Sequence, residues 1–153
     1  MAFKLSGRSL KKLKGVDEQL VNVVHEAINL TKVDFGVTYG LRTENEQAAL
    51  VAAGKSQTMK SKHLEGRAVD LVAYVGTNVC WELNVYDDLA NAVAEAASNQ
   101  KVKIRWGAAW HIKDIAKWWE EGKTMEDAMN EYIDKRRSQG RRPFIDGPHF
   151  ELS

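Results

Sequence analysis

The chain has four histidines, and two of them stand beside carboxylates at short spacing in turn-rich sequence. His63 lies in "SKHLEGRAVDL" ahead of Gly66, with Asp70 inside the apolar run that follows. His149 lies in "DGPHFEL", three residues after Asp146. A turn through Gly66 can fold His63 back beside a strand bearing Asp70, and His149 can enter from a neighbouring strand. Two imidazoles and one carboxylate are a normal ligand set for catalytic zinc, with the fourth tetrahedral position left to water. Asp146 is then a carboxylate near the ion but not on it, able to accept a proton from water and hand it to a leaving amine. The same spacing also fits a hydrogen-bonded glycine turn with His63 capping backbone groups and Asp146 as an Asx-type turn residue. Spacing alone leaves both open. His25, in an amphipathic pattern, and His111, beside Trp110 at the start of a helical stretch, lack such a partner.

The elements that must carry these residues alternate between helical and extended patterns. Asp17 can cap a helix through "EQLVNVVHEAINL", where Leu20, Val23, Val24, Ala27 and Ile28 form one stripe. "VDFGVTYGLR" alternates Val33, Phe35, Val37 and Tyr39 and predicts a strand ending near Arg42. Thr43 with Glu46 forms a capping box, and Gly54 can stop the helix it starts. "RAVDLVAYV" predicts a largely buried strand, and residues 86–98 a helix with acids in its first turn. "VKIRWG" is a short strand. From Ala108 to about Gly140 the pattern is helical and charged, with Gly122 as a break and Thr124 as a second cap. The tail has turn chemistry at Asp146, Gly147 and Pro148, then a short extended "HFEL". No repeat or linker divides the chain. The expectation is an α+β fold: one compact domain over residues 1–153, with a small antiparallel sheet flanked by helices and the candidate zinc ligands at the sheet.

Composition excludes several function classes. Lysine plus arginine number 22 against 21 aspartate plus glutamate, a net charge of +1 that gives no case for nucleic acid as a partner. Cys80 is the only cysteine, which excludes an internal disulfide and a multi-cysteine zinc cluster, and it reads as a small buried apolar residue. "MAFKLSGRSLKKLKG" has basic residues without an apolar region behind them, and no later run is long enough to span a membrane. Synthesis in the cytoplasm is expected, and work outside it requires another protein to open the way.

The ordered blocks "YGLRT", "SKHLEGRAVD", "IRWGAAW" and "DGPHFEL" resemble those of the zinc peptidases that include phage endolysins cutting the L-alanyl-D-glutamate bond of peptidoglycan. D-Alanyl-D-alanine carboxypeptidases and dipeptidases are relatives in that family. The resemblance runs over nearly the whole chain, and no HExxH signature points to another zinc protease class. It implies that His63, Asp70 and His149 bind Zn2+, that Asp146 is the general base, and that Arg42 steadies the substrate carbonyl and its developing oxyanion. By itself Arg42 reads as an exposed arginine beside a helix cap. Ser61 matches the serine of the first motif and is expected to support the turn rather than act as a nucleophile.

The implied partners are a peptidoglycan stem peptide and a membrane-permeabilising holin. The chain is expected to be a monomer, made in the host cytoplasm and acting on the wall. Ala109 departs from the pattern, since many relatives carry an acid before the second tryptophan of "WG-x-x-W", and this bears on substrate preference. The stretch around 111–142 looks like a helical insertion able to wall the cleft. Trp106 and Trp110 are either that wall or core packing. "KRRSQGRR" at 135–142 is read as a solvated helix end in preference to a wall-binding patch. A D-alanyl-D-alanine carboxypeptidase and a non-catalytic zinc-stabilised wall-binding module are the alternative functions, and Asp146 argues against the second.

Overall fold

In the computed structural model, which describes residues 3–56 and 59–153, the Asp17 carboxylate accepts from the Gln19 amide and starts α2, Glu18–Leu30. Met1, Ala2, Gln57 and Thr58, inside the expected domain, lie outside the described residues. The α2 stripe of Leu20, Val23, Val24, Ala27 and Ile28 is buried as its spacing predicts. Before it comes α1, Gly7–Lys12, which the sequence reading did not anticipate. Six residues of mixed polarity carry too little periodicity to be recognised. Its start is fixed instead by Ser6, which accepts from the Ser9 amide.

The sheet is antiparallel throughout. β1 (Asp34–Tyr39) runs along one edge of β2 (Ala68–Val75), from the pair Asp34–Tyr74 to Tyr39–Asp70, with an irregularity between Val37 and Tyr39. The other edge of β2 is divided. Its first half pairs with β5 (His149–Leu152), and its second half with β3 (Asn78–Cys80). β4 (Ile104–Trp106) closes the far side by pairing with β5. Phe35, Val37, Leu71, Ile104, Trp106 and Phe150 bury their side chains in the core, whereas Tyr39, counted in the predicted alternation, is exposed.

The helices complete the layers. α3, Glu44–Ala52, begins at the predicted capping box, with Thr43 and Glu46 bonded reciprocally, and Gly54 takes a positive φ just beyond it. α4, Leu83–Gln100, packs against α2, α5 (Ile115–Glu120) and α6 (Met125–Ser138). Its alanines 90, 94, 96 and 97 are buried, letting these neighbours approach closely.

Three sequence expectations need correction. α4 starts at Leu83, so Asp87 and Asp88 fall in its second turn and the first turn holds no acid. Residues 108–114 form turns, so His111 precedes α5 and lies outside any helix. Cys80 is half-buried at the end of the short β3, a strand too brief to stand out in the sequence. Beyond the turns, 111–142 contains α5 and α6, broken at Gly122 and restarted by the capping box of Thr124 with Asp127, and residues 139–142 follow as turn and irregular chain.

Candidate metal centre

Strand register brings the middle of the chain to its tail. Asp70 and His149 are direct cross-strand partners, so their side chains leave the sheet on the same face. The Leu71 amide donates to the Pro148 carbonyl at 2.8 Å, continuing the pairing one step past the strand end. His63 comes from a single 3-10 turn, Lys62–Glu65, capped by Ser61, whose Oγ accepts from the His63 amide at 3.2 Å. Gly66 ends that turn with φ of 69°. A Cβ there would stand 2.5 Å from the Gly15 carbonyl oxygen, so both the conformation and the close approach require glycine.

Each imidazole is held by its outer nitrogen. His63 Nδ1 donates to the Gly40 carbonyl at 2.8 Å, which turns Nε2 toward Asp70. His149 Nε2 donates to Glu151 Oε1 at 2.8 Å, which turns Nδ1 toward the same carboxylate. Glu151 is in turn 3.4 Å from Lys62 Nζ. The sequence reading missed Glu151, although its position two residues after His149 in a strand puts both on one face.

The inner atoms converge. His63 Nε2 and His149 Nδ1 each lie 3.3 Å from Asp70 Oδ1, and the three donor atoms lie within 4.8 Å of one another. Metal–ligand bonds of about 2.0–2.1 Å at tetrahedral angles separate neighbouring donors by about 3.3 Å, so the spacing suits a small divalent ion. Two nitrogens and one carboxylate oxygen, each already oriented by an outer partner, fit such an ion in chemistry as well as in distance.

Charge is concentrated at the same point. Burial opposes ionisation of Asp70, yet hydrogen bonds from His149 and His63 hold its carboxyl far below the usual carboxylate range. Burial likewise disfavours the His149 imidazolium, but Asp70 and Glu151 outweigh it and push the pKa up to about 9. Asp146 moves the other way from Asp70: burial, with the Asp70 charge adding to it, raises its pKa. A carboxylate whose proton affinity is raised beside a ligand cluster is suited to take up a proton.

Arg42 is buried rather than solvent-exposed. Its Nη1 donates to Gln47 at 2.7 Å, and its Nη2 stands 3.7 Å from Asp70 Oδ2, too far for a full hydrogen bond. The guanidinium therefore faces the cluster with a donor to spare.

These groups line one cleft of about 700 Å³, together with Ser61, Trp81 and Trp110. Trp110 stacks on Phe144 with ring centroids 6.3 Å apart and leans over His149 at 5.4 Å. Trp106 is different. It is fully buried, stacked on Phe150, and its indole N–H donates to the Gly147 carbonyl at 2.8 Å, so it braces the tail from within the core and forms no part of the cleft wall. His25 is exposed on α2, and His111 lies 3.0 Å from Glu131 and stacks on Tyr132, so neither joins the cluster.

A family model described as phage L-alanyl-D-glutamate peptidase matches residues 1–153. The chain belongs to that family. An L-alanyl-D-glutamate peptidase of Escherichia phage T5 is 32% identical over 115 residues, covering 72% of this chain and 84% of the relative. One of Listeria phage A118 is 41% identical over 70 residues, covering 46% of this chain but only 24% of that longer protein. The crystal structure of the Serratia marcescens L-Ala D-Glu endopeptidase ChiX superposes with a TM-score of 0.71 at 32% identity, covering 98% of this chain and 90% of that one.

Proposed function

We propose that this chain is a zinc-dependent endopeptidase that hydrolyses the L-alanyl-D-glutamate bond of peptidoglycan stem peptides, acting as a phage endolysin. Family membership over the whole chain and the names of its relatives support the bond class. The observation that carries the chemistry is the convergence of His63 and His149 on Asp70 at 3.3 Å, with the raised-pKa Asp146 lining the same cleft.

His63, Asp70 and His149 would hold the ion, which when bound supplies a Lewis acid that lowers the pKa of water and polarises the scissile carbonyl. Asp146 accepts the proton of the attacking water and returns it to the amide nitrogen as the C–N bond breaks. Arg42 Nη2 is placed to donate to the carbonyl oxygen as it gains negative charge. Gln47, holding Nη1, keeps that guanidinium from swinging away. Ser61 supports the turn that carries His63 and does no nucleophilic work, since both cleft imidazoles are committed to Asp70 and their outer partners.

The stretch 111–142 acts as a helical insertion that braces one wall of the cleft. Trp110 and Phe144 flank it and are joined by a hydrogen bond of 3.0 Å from the indole to the Phe144 carbonyl. The Phe144 amide donates to Tyr132 of α6. The protein works as a monomer, made in the host cytoplasm and reaching the wall once a holin has permeabilised the membrane; the family resemblance carries that part.

Mass analysis of digested cell walls tests the reading. New amino-terminal glutamate, abolished by chelation and restored by zinc, is expected. Release of free D-alanine identifies a carboxypeptidase instead, and intact stem peptides reject both.

A further inference from the structure

We propose that Trp81 is a saccharide platform: it stacks on the sugar ring that carries the stem peptide, placing the glycan at one end of the cleft. This inference rests on the peptidoglycan reading above and adds the part of the substrate outside the peptide.

Trp81 is the most exposed large apolar side chain among the described residues, at 66%, and it lines the cleft. Two-thirds of its surface is open beside the candidate reaction centre, within reach of whatever occupies the cleft. The ring is not adrift. It stacks on Tyr86 at 6.4 Å with an interplanar angle of 16°. Tyr86 is buried, its hydroxyl accepts from the Ala73 amide at 3.2 Å, and its Cβ and Cγ lie close over Gly147, where an added Cβ would meet them at 3.2 Å. Trp81 also directly follows Cys80, which pairs with Ala73 of β2. The platform is thus tied by Tyr86 to the residue after Asp146, and by β3 to the strand bearing Asp70. Its position relative to the candidate reaction centre is fixed.

The chemistry of the substrate selects the occupant. In peptidoglycan the L-alanine of the stem is joined through a lactyl ether to a pyranose, so a sugar ring lies one residue from the bond to be cut. A pyranose presents a face of C–H groups that lies flat on an aromatic plane, whereas an alanine methyl or a glutamate carboxylate has no need of a whole indole face. Lys55 also lines the cleft and suits a carboxylate of the stem. The sugar is the partner with a face to match Trp81.

Kinetics on two substrates test this: a disaccharide-linked stem peptide, and the same peptide with an acetyl group in place of the sugar. Trp81→Ala is expected to lower kcat/KM on the first by roughly fivefold to tenfold, chiefly through KM, with a much smaller loss on the second. Trp81→Phe, which keeps a flat ring, is expected to recover most of the difference. Equal losses on both substrates, or none on either, overturn the platform. If the wild type cleaves neither substrate, the peptidase reading fails. Titrating the free disaccharide against the Trp81 indole N–H signal then decides separately: a saturable shift supports the platform, and an unmoved signal overturns it.

Discussion

Asp70 is the meeting point of both imidazoles and lies next to Arg42, whereas among the described residues the Asp146 carboxylate makes no hydrogen bond or ion pair to the cluster. That difference separates the expected effects of substitution. His63→Ala should lose the metal itself, read by metal analysis after dialysis. Asp146→Asn should retain the metal and lower kcat by about 10²–10⁴, the range for removing a positioned base. On the proposed mechanism Arg42→Ala removes a donor from the developing oxyanion, and a hundredfold or greater fall in turnover, about 3 kcal/mol, is expected with metal content unchanged. Glu151 makes the sharper case, because it touches His149 only through the outer nitrogen. Glu151→Gln should weaken metal affinity by about 10–100-fold while activity at saturating zinc stays near that of the wild type. An unchanged affinity would show that the ring of His149 needs no such partner. A Glu151 role was readable in principle from "HFE" alone, since alternate residues of a strand share a face; recognising it required knowing that Nε2, rather than Nδ1, faces away from the cluster.

Local signals made most elements legible, the short β4 and β5 among them, and left α1 and β3 silent. The boxes at Thr43 and Thr124, the Asp17 cap and the stripe of α2 each name their partners within four residues, and the chain folds accordingly. α1 and β3 are too brief to show a period, and α4 begins ahead of its acids with a first turn, Leu83 to Tyr86, that holds no acid to announce it. The site was legible in its residue types, but not in its convergence: whether Asp70 would meet His149 depended on the β2–β5 register. Two tryptophans four residues apart also looked equivalent, yet Trp106 on β4 faces inward and Trp110 in the following turn faces the cleft. Between them Gly107 permits the tail to pass. Its amide donates to the His149 carbonyl, its carbonyl accepts from the Asp146 amide, and an added Cβ would stand within 2.2 Å of the Asp146 carbonyl oxygen. Gly107→Ala therefore has to push the Asp146 backbone away. Expected are a lower melting temperature and a loss of activity exceeding what the lost stability explains, measured well below the melting transition. Full activity in a destabilised protein would mean that the tail relaxes without moving its carboxylate.

Asp70 and His149 are 79 residues apart, so an ion held by both closes a long loop and ties the tail to the centre of the sheet. Without the ion, a proton on His149 does part of that work, lying between Asp70 and Glu151. Its pKa near 9 lies above the usual histidine value, so the folded state binds this proton more tightly than the unfolded one. The resulting stabilisation is fully present below pH 6.5 and is lost as pH rises through 9; the shift corresponds to about 3 kcal/mol at most. A metal ion must displace the same proton, so its apparent affinity should rise with pH across that window and level off above it. The two effects act in opposite directions on metal-free and metal-loaded protein. Melting temperatures taken with chelator and with saturating zinc from pH 6.5 to 9.5 should therefore diverge, falling without the ion and holding or rising with it. Groups remote from the cluster titrate alike in both series and cancel in the difference. A gap that stays constant across the range would mean that Asp70 and Glu151 do not hold a proton on His149, and that the ion and the proton do not compete for one place.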